Sequence, residues 1–405
     1  NWVTPNHKNE QAIKTTYRVE KAEFNKGKYR NVMGNHAISL GLLAGSIKSN
    51  LDLFFAGYPI TPASDVLKYL SNYKNFGVKT FQAEDEIAAI TSILGASFAG
   101  KLGVTASSGP GIALKGEAIG LGVITELPLI ILNIQRGGPS TGLPTKTEQS
   151  DLMQAMYGRN GECPCVVMAP SSPSDCFQTA FDAVKIAIEH MIPVMLLSDG
   201  YIANGSEPWK IPSVKSLPEI NNNITKEESD SFLPYQLDKK TLARKWAIPG
   251  TPGLEHRIGG LEKSDGTGSV DYDPDNHHLM TLRRQKKVDV ISNFIPEIEI
   301  LGKPKGKLLI VSWGGVYGSV KSAVGRAHEL DMSVSHIHLK YLNPFPKNLG
   351  EILVDFDKIL IPELNLGQLL FIIRSKFLID AIGFNKVEGK PFTSSEIFKK
   401  IETVL

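Results

Sequence analysis

The chain has 405 residues, 42% hydrophobic and 21% charged, enough for more than one buried core, because single cores stop growing at roughly 250 to 300 residues. Forty-four basic and 42 acidic residues leave a formal net charge of +2, which gives no electrostatic ground for a nucleic acid or an anionic membrane as partner. No apolar run approaches the ~18 residues of a membrane span and no signal-peptide pattern opens the chain, so the sequence reads as soluble and cytoplasmic. Asn1 stands where a Met would begin a nascent chain, which leaves room for a processed or truncated N-terminus. The three cysteines, Cys163, Cys165 and Cys176, lack the C-x-x-C spacing or neighbouring histidines of a zinc or iron–sulfur ligand set and read as structural thiols.

Residues 1–33 are polar and without a clear period; they read as an N-terminal arm in which YRVEKAEF offers one strand. From Gly34, GNHAISLGLLAGSI spaces small and apolar residues as a helix does, with Gly34 or Asn35 as its cap. Strands and helices then alternate. LDLFFA precedes a helix from about Ser64 to Ser71, KTFQ a long helix to about Ala99, and LGVTAS the run SGPGIALKGEAIGLGVI. LPLIILNI precedes EQSDLMQAMYG, PCVVMA precedes SPSDCFQTAFDAVKIAIEHM, and PVMLLS ends the series. Near-continuous apolar strands separated by helices predict a doubly wound parallel α/β sheet over residues 34–206. Residues 207–303 break that texture with Pro208, Pro212, Pro218 and the runs INNNITKEESD, AIPGTPGLEH and GGLEKSDGTGS, predicting a long excursion that contacts a partner. A second α/β series from KLLIVSWGG to SSEIFKKIETVL makes residues 304–405 a smaller domain, expected to be independent.

Three strand ends carry the chemistry: AGYPITPAS at 56–64, QAEDEIAAI at 82–90 and QRGGPSTGLPTKTEQ at 135–149. Thr61 sits where a strand hands over to a helix, the place where open parallel sheets bind ligands. Glu84, Asp85 and Glu86 open a helix, which its dipole rewards; only Glu84 falls early enough to stay on the rim. Arg136 ends an apolar strand beside two glycines, fit either to grip a small carboxylate in bidentate fashion or to pair with an acid on the surface. Thr61 and Thr145 suit hydrogen bonds to the same carboxylate, and equally suit helix caps. ASSGPGIALKGE at 106–117 looks like a phosphate cradle but lacks the nucleotide-site glycine patterns; a loop approaching a cofactor or partner closely fits it better. The triplet Ser198–Asp199–Gly200, followed by three asparagines at 221–223, hints at a Mg²⁺-diphosphate signature. Its spacing is short and Ser198 replaces the first glycine, so Asp199 reads as a strand-end turn residue.

YPITPAS, QAEDEIAAI, SSGPG, QRGGPSTGLPTKTEQ, SDGYIANGSEPW, GTPGLEHRIGG and ELNLGQL together resemble the alpha subunits of 2-oxoacid:ferredoxin oxidoreductases, most closely the 2-oxoglutarate type, over residues 34 to about 375. The resemblance implies a pyrimidine-type thiamine-diphosphate domain plus a transketolase C-terminal-like domain. It also implies a beta subunit that holds Mg²⁺, the diphosphate site and a [4Fe-4S] cluster, with coenzyme A as co-substrate and ferredoxin as acceptor. In many relatives a gamma domain is fused ahead of this region, which with the Asn1 start leaves open whether one was removed or is a separate chain. Position by position, Glu84 falls on the glutamate that hydrogen-bonds N1′ of the aminopyrimidine, and Thr61, Arg136 and Thr145 on the positions that bind the 2-oxoacid carboxylate. Pro59, Ser108 and Gly109 fall beside the cofactor. A member specific for pyruvate or branched-chain 2-oxoacids, and a non-catalytic assembly subunit, are the alternatives.

Overall fold

A computed structural model describes residues 22–225 and 232–405. The expected arm and most of YRVEKAEF fall on residues 1–21, outside the described residues, as does part of INNNITKEESD. β1 (Tyr29–Met33) leads into α1 (Gly34–Ser49), β2 (Leu53–Gly57), α2 (Ser64–Leu70), β3 (Lys79–Gln82), α3 (Glu86–Phe98), β4 (Leu102–Ser107), α4 (Gly109–Leu114) and α5 (Gly116–Ile124). β5 (Leu129–Gln135), α6 (Leu152–Tyr157), β6 (Val166–Met168), α7 (Asp175–His190), β7 (Pro193–Asp199) and α8 (Gly200–Asn204) follow. Six of these strands form a parallel sheet in the order β6-β7-β5-β4-β2-β3. β3 lies to one side of β2 and β4 to the other, so the chain changes winding direction there and leaves a crevice beyond the ends of β2 and β4.

The apolar runs make these strands because residues buried on both faces cannot alternate with polar ones. α1, α2 and α7 pack on one face, α3 and α5 on the other. The small residues of α1 allow a close approach to α7: a side chain at Gly45 would meet Val184 at 2.7 Å. α1 is capped by Met33 in extended conformation with no side-chain bond. Neither Gly34 nor Asn35 is the cap, because Asn35 is turned elsewhere, as described below.

The excursion holds β8 (Ser206–Lys210), paired with β1, the short parallel pair β9 (Ile224–Thr225) and β10 (Trp246–Ala247), and a 17-residue helix, α9 (Pro274–Val290). The sequence concealed α9 because its inward face carries Arg284 and Lys287 beside Met280 and Val288, so no apolar stripe appears. Lys287 pairs with Glu126, and Arg284 with Glu262 at 2.8 Å, which satisfies the buried charges.

The last unit runs β11 (Gly306–Trp313), α10 (Tyr317–Glu329), β12 (Val334–Leu339), β13 (Tyr341–Asn343), α11 (Leu349–Val354), β14 (Phe356–Glu363), α12 (Gln368–Phe377), β15 (Ile382–Asn385) and α13 (Ser394–Val404). Its own sheet is parallel, β12-β11-β14-β15, but β13 leaves it and joins the large sheet antiparallel to β6. Trp313, Ile337, Leu339 and Leu342 share one apolar core with Ile131, Val167, Met195 and Leu197. The expectation of an independent unit is corrected on that point: the two halves share a core and a strand, too short a strand to show a period in sequence.

Two buried histidines, His190 and His336, and the partly buried His338 should make stability acid-sensitive. Burial pulls His190 down to about 4, and His336 and His338, which share the Ser312 hydroxyl at 2.7 and 2.8 Å, down to about 3. The unfolded chain binds these protons first, so the contribution is whole above the ordinary histidine value near 6.5 and is lost as pH falls toward those depressed values. Each histidine adds up to about 1.4 kcal/mol per pH unit in that window. Asp151, Asp199 and Glu363, raised chiefly by burial, act in the opposite sense. Urea midpoints at pH 7 and pH 5 should therefore differ less in His190→Gln than in the parent; identical differences would remove His190 from this balance.

Candidate functional site

The turn after β2 is fixed by donors from three other elements. Asn35 Nδ2, at the start of α1, donates to the Pro62 carbonyl at 3.1 Å. Ser108 Oγ donates to the carbonyls of Ile134 at 2.8 Å and Thr61 at 3.3 Å, and Arg136 Nη1 donates to that of Thr61 at 2.6 Å. The carbonyls thus face inward and the Thr61 side chain stands on the exposed rim of the crevice. Asn35 escaped sequence reasoning because an asparagine near a helix start reads as a cap.

Arg136 is 7% exposed and has no acidic partner among the described residues, which removes the surface-pair reading. Its buried Nε has no hydrogen-bond partner among the described residues. A buried guanidinium N–H without an acceptor is costly, and a ligand carboxylate would satisfy it. Beyond Arg136 the chain folds back on itself: Gly137 N–H donates to the Lys146 carbonyl at 2.9 Å and Leu143 N–H to the Gly137 carbonyl at 2.8 Å. Gly142, with φ of +50°, takes the left-handed conformation that this tight return needs. Thr145 is thereby brought opposite Thr61. The two threonines, Pro144, Asp65, Gly200 and Asn204 line one cavity of about 260 Å³. Neither threonine caps a helix, since Ala63 and Asp151 precede α2 and α6 and no side-chain bond is made at either start.

The three acids after β3 are sorted by the helix start. Asp85 is the N-cap of α3, its carboxylate accepting from Ala88 N–H at 2.7 Å. Glu86 is buried in the first turn, and its carbonyl accepts from the enclosed Lys115 ammonium at 2.7 Å. Burial pulls Lys115 down to about 8 against the pull of Glu86 and Asp85. Asp85 is exposed as well but bound to Ala88 N–H, so Glu84 is the one of the three that is both exposed and without a side-chain hydrogen bond among the described residues. Its turn is tied to β2 by Ala83 N–H donating to the Gly57 carbonyl at 3.0 Å, and it exposes Phe81 and Ile87 on either side.

Pro59 lies exposed on the turn after β2. Ser108 is wholly buried, its hydroxyl engaged with the two carbonyls, so it positions the rim. A side chain at Gly109 would meet the Asp151 carboxylate at 2.8 Å, so an acid occupies the place a phosphate would take at this helix start. Asp199 ends β7 and caps α8, accepting from Tyr201 and Ile202 N–H groups at 2.8 and 3.0 Å and from Thr147 Oγ1 at 3.0 Å. All three bonds fall on Oδ1, as the turn role read from sequence requires.

The same loop is gripped from the last unit. Gln149 Nε2 donates to the Trp313 carbonyl at 2.7 Å and its Oε1 accepts from Leu364 N–H at 3.1 Å, while Asn365 Nδ2 donates to the Gln149 carbonyl at 2.8 Å. Glu363 accepts from Leu369 and Leu370 N–H groups, Asn365 Nδ2 and Trp313 Nε1. ELNLGQL is thus the clamp that fixes the Thr145 loop. Gln149→Ala leaves the Trp313 carbonyl and the Leu364 N–H buried without these partners, and each such group costs about 1 to 3 kcal/mol. Urea unfolding should show a loss of at least about 2 kcal/mol; a change within ~0.5 kcal/mol, as for an ordinary surface residue, would contradict the clamp.

Residues 45–273 match the family model described as "Pyruvate flavodoxin/ferredoxin oxidoreductase, thiamine diP-bdg". The chain is 53% identical over 98% of its length to the 2-oxoglutarate oxidoreductase subunit KorA of Mycobacterium tuberculosis, covering 60% of that protein. It is 34% identical to the 2-oxoglutarate synthase subunit KorA of Archaeoglobus fulgidus, with 84% of this chain and 89% of that one covered. Among solved structures it superimposes on the 2-oxoglutarate:ferredoxin oxidoreductase of Magnetococcus marinus, determined with 2-oxoglutarate, coenzyme A and succinyl-CoA bound, with TM-score 0.87 and 35% identity, covering 93% of this chain and 65% of that one. A split-gene transketolase, 12% identical with TM-score 0.53 and coverage of 92% and 98%, shares the fold. The chain therefore spans under two thirds of the length of the M. tuberculosis and M. marinus proteins. A ligand crevice at the winding reversal, its threonine-lined cavity and these matches lead to one conclusion: the chain belongs to the thiamine-diphosphate-binding pyruvate flavodoxin/ferredoxin oxidoreductase family.

Proposed function

We propose that this chain is the alpha subunit of a thiamine-diphosphate-dependent 2-oxoacid:ferredoxin oxidoreductase, cytoplasmic and active only with its beta subunit. It decarboxylates 2-oxoglutarate oxidatively with coenzyme A and passes electrons to ferredoxin, or runs in the opposite direction. The observation that carries this reading is the rim itself: Thr61 and Thr145 line one cavity and Arg136, with an unpaired buried N–H, lies under the Thr61 carbonyl. The names of the relatives supply the choice of 2-oxoacid.

The residues present fit the pyrimidine end of the cofactor. A carboxylate without a partner among the described residues, flanked by exposed Phe81 and Ile87, suits a flat heterocycle that presents a ring nitrogen at its edge. Glu84 would hold N1′ and keep a proton there. Bound thiamine diphosphate supplies the electron sink for the carbon that loses CO₂. Thr61, Arg136 and Thr145 hold the substrate carboxylate so that its keto carbon stays in one orientation. With Asp199 Oδ1 occupied by N–H and hydroxyl donors and the residue serving as a helix cap, the diphosphate and Mg²⁺ are assigned to the beta subunit, together with the [4Fe-4S] cluster. Tyr58, Phe81, Ile87, Leu143 and Tyr201 are all exposed at the same end of the sheet, and that apolar rim supports a covering partner. Steady-state kinetics of the assembled complex should show a higher kcat/KM for 2-oxoglutarate than for pyruvate or 2-oxoisovalerate; the reverse order would move the chain to another substrate class within the family.

A further inference from the structure

The loop between α6 and β6 carries Cys163–Pro164–Cys165, which the rim does not use. Arg159, just past α6, donates to the carbonyls of Gln154 at 3.4 Å, Ala155 at 2.9 Å and Met156 at 3.1 Å, closing the C-terminal end of that helix. The same guanidinium reaches Cys163, with Nε 3.3 Å from the sulfur and Nη2 2.8 Å from the carbonyl. Four backbone carbonyls thus hold a permanent cation against one thiol. That thiol is also accessible: Cys163 lines a cavity of about 540 Å³ with Arg159 and Lys376, and an adjoining one of about 430 Å³ with Arg284. Cys165, wholly buried, follows two residues later in the same loop, across Pro164. The Cys165 contact, opposed by burial and helped by Arg159 and Arg284, holds Cys163 below the ordinary thiol range, while Cys163 and burial push Cys165 up. Cys176 is buried with acids about it and is pushed up as well.

We propose that Cys163 and Cys165 form a reversible redox site in which Cys163 is a peroxide-reactive thiolate and Cys165 its resolving thiol. The Cys163 sulfur attacks one oxygen of hydrogen peroxide; an S–O bond forms, the O–O bond breaks, sulfur loses two electrons, and the departing hydroxide takes a proton to become water. Cys165 then attacks the sulfenic sulfur. An S–S bond forms, the S–O bond breaks, and the Cys165 proton leaves with the hydroxyl as a second water. Arg159 serves the first step by stabilising the thiolate, the attacking species.

The test uses the full chain, reduced, freed of reductant and treated with a few equivalents of hydrogen peroxide. Fragmentation mass spectrometry should show two hydrogens lost within Cys163–Cys165, recovered with dithiothreitol, while Cys176 stays reduced. Cys165→Ser should halt at a sulfenate on Cys163 that dimedone traps. Arg159→Met should slow oxidation at least ~10-fold, and the native parent should react at least ~10-fold faster than the same chain in urea, a comparison that needs no variant to fold. Peroxide that leaves Cys163 unmodified, or oxidises it no faster in the native chain than in urea, would overturn the proposal.

Discussion

Glu84→Gln in the assembled complex is expected to lower turnover by at least ~100-fold, the loss that follows removal of a positioned acid–base group. The change keeps the volume and one hydrogen bond but leaves no carboxylate to hold a proton at N1′. The fold should be untouched, because Glu84 is exposed and bonds to no described side chain. Cofactor affinity should stay near that of the parent. The neighbouring acids provide the internal control. Asp85→Asn retains an oxygen for the Ala88 N–H and should cost only the ~0.3 to 1 kcal/mol of a dipole contact, with turnover little changed. A Glu84→Gln complex of parental activity would exclude Glu84 from the chemistry.

Arg136→Ala should be the next most damaging change. Two contacts are lost: the bond to the Thr61 carbonyl, seen at 2.6 Å, and the proposed grip on the substrate carboxylate. At about 1.5 to 3 kcal/mol per hydrogen bond to a charged group, kcat/KM should fall at least roughly 10- to 150-fold, with KM raised through lost binding and kcat lowered through lost orientation. The turn itself keeps its Asn35 and Ser108 donors, so the protein should remain folded. Arg136→Lys should recover only part of the loss, because a point charge cannot serve the Thr61 carbonyl and a carboxylate in the geometry of a planar fork. Unchanged kinetics would leave Arg136 with a purely structural part.

The large sheet was legible because its strands are buried on both faces and carry unbroken apolar runs between helix and turn signals; the ligand crevice followed from where those runs end. The three rim positions stood out as residue types out of place, an arginine ending an apolar strand and threonines among prolines and glycines, while the role proposed for them came with the family resemblance. Glu84 was separable from Asp85 and Glu86 by position along a helix start, and the cap on Ala88 now gives that separation a physical basis. What stayed hidden depends on contacts distant in sequence. Asn35 reaches Pro62 across 27 residues and Gln149 reaches Trp313 across 164, and no local pattern announces either. α9 was missed because Arg284 and Lys287 face inward and are satisfied by Glu262 and Glu126, so helical period and hydrophobic period part company. β13 was missed because three residues cannot show an alternation.

The most direct test of Glu84 is exchange of the thiamine C2 proton with deuterium in the assembled complex without substrate, because this reads cofactor activation apart from 2-oxoacid binding, coenzyme A and electron transfer. Glu84→Gln should exchange that proton at least ~100-fold more slowly than the parent, with Asp85→Asn close to the parent. Exchange at the parental rate in Glu84→Gln would contradict the assignment and turn attention to the buried Glu86.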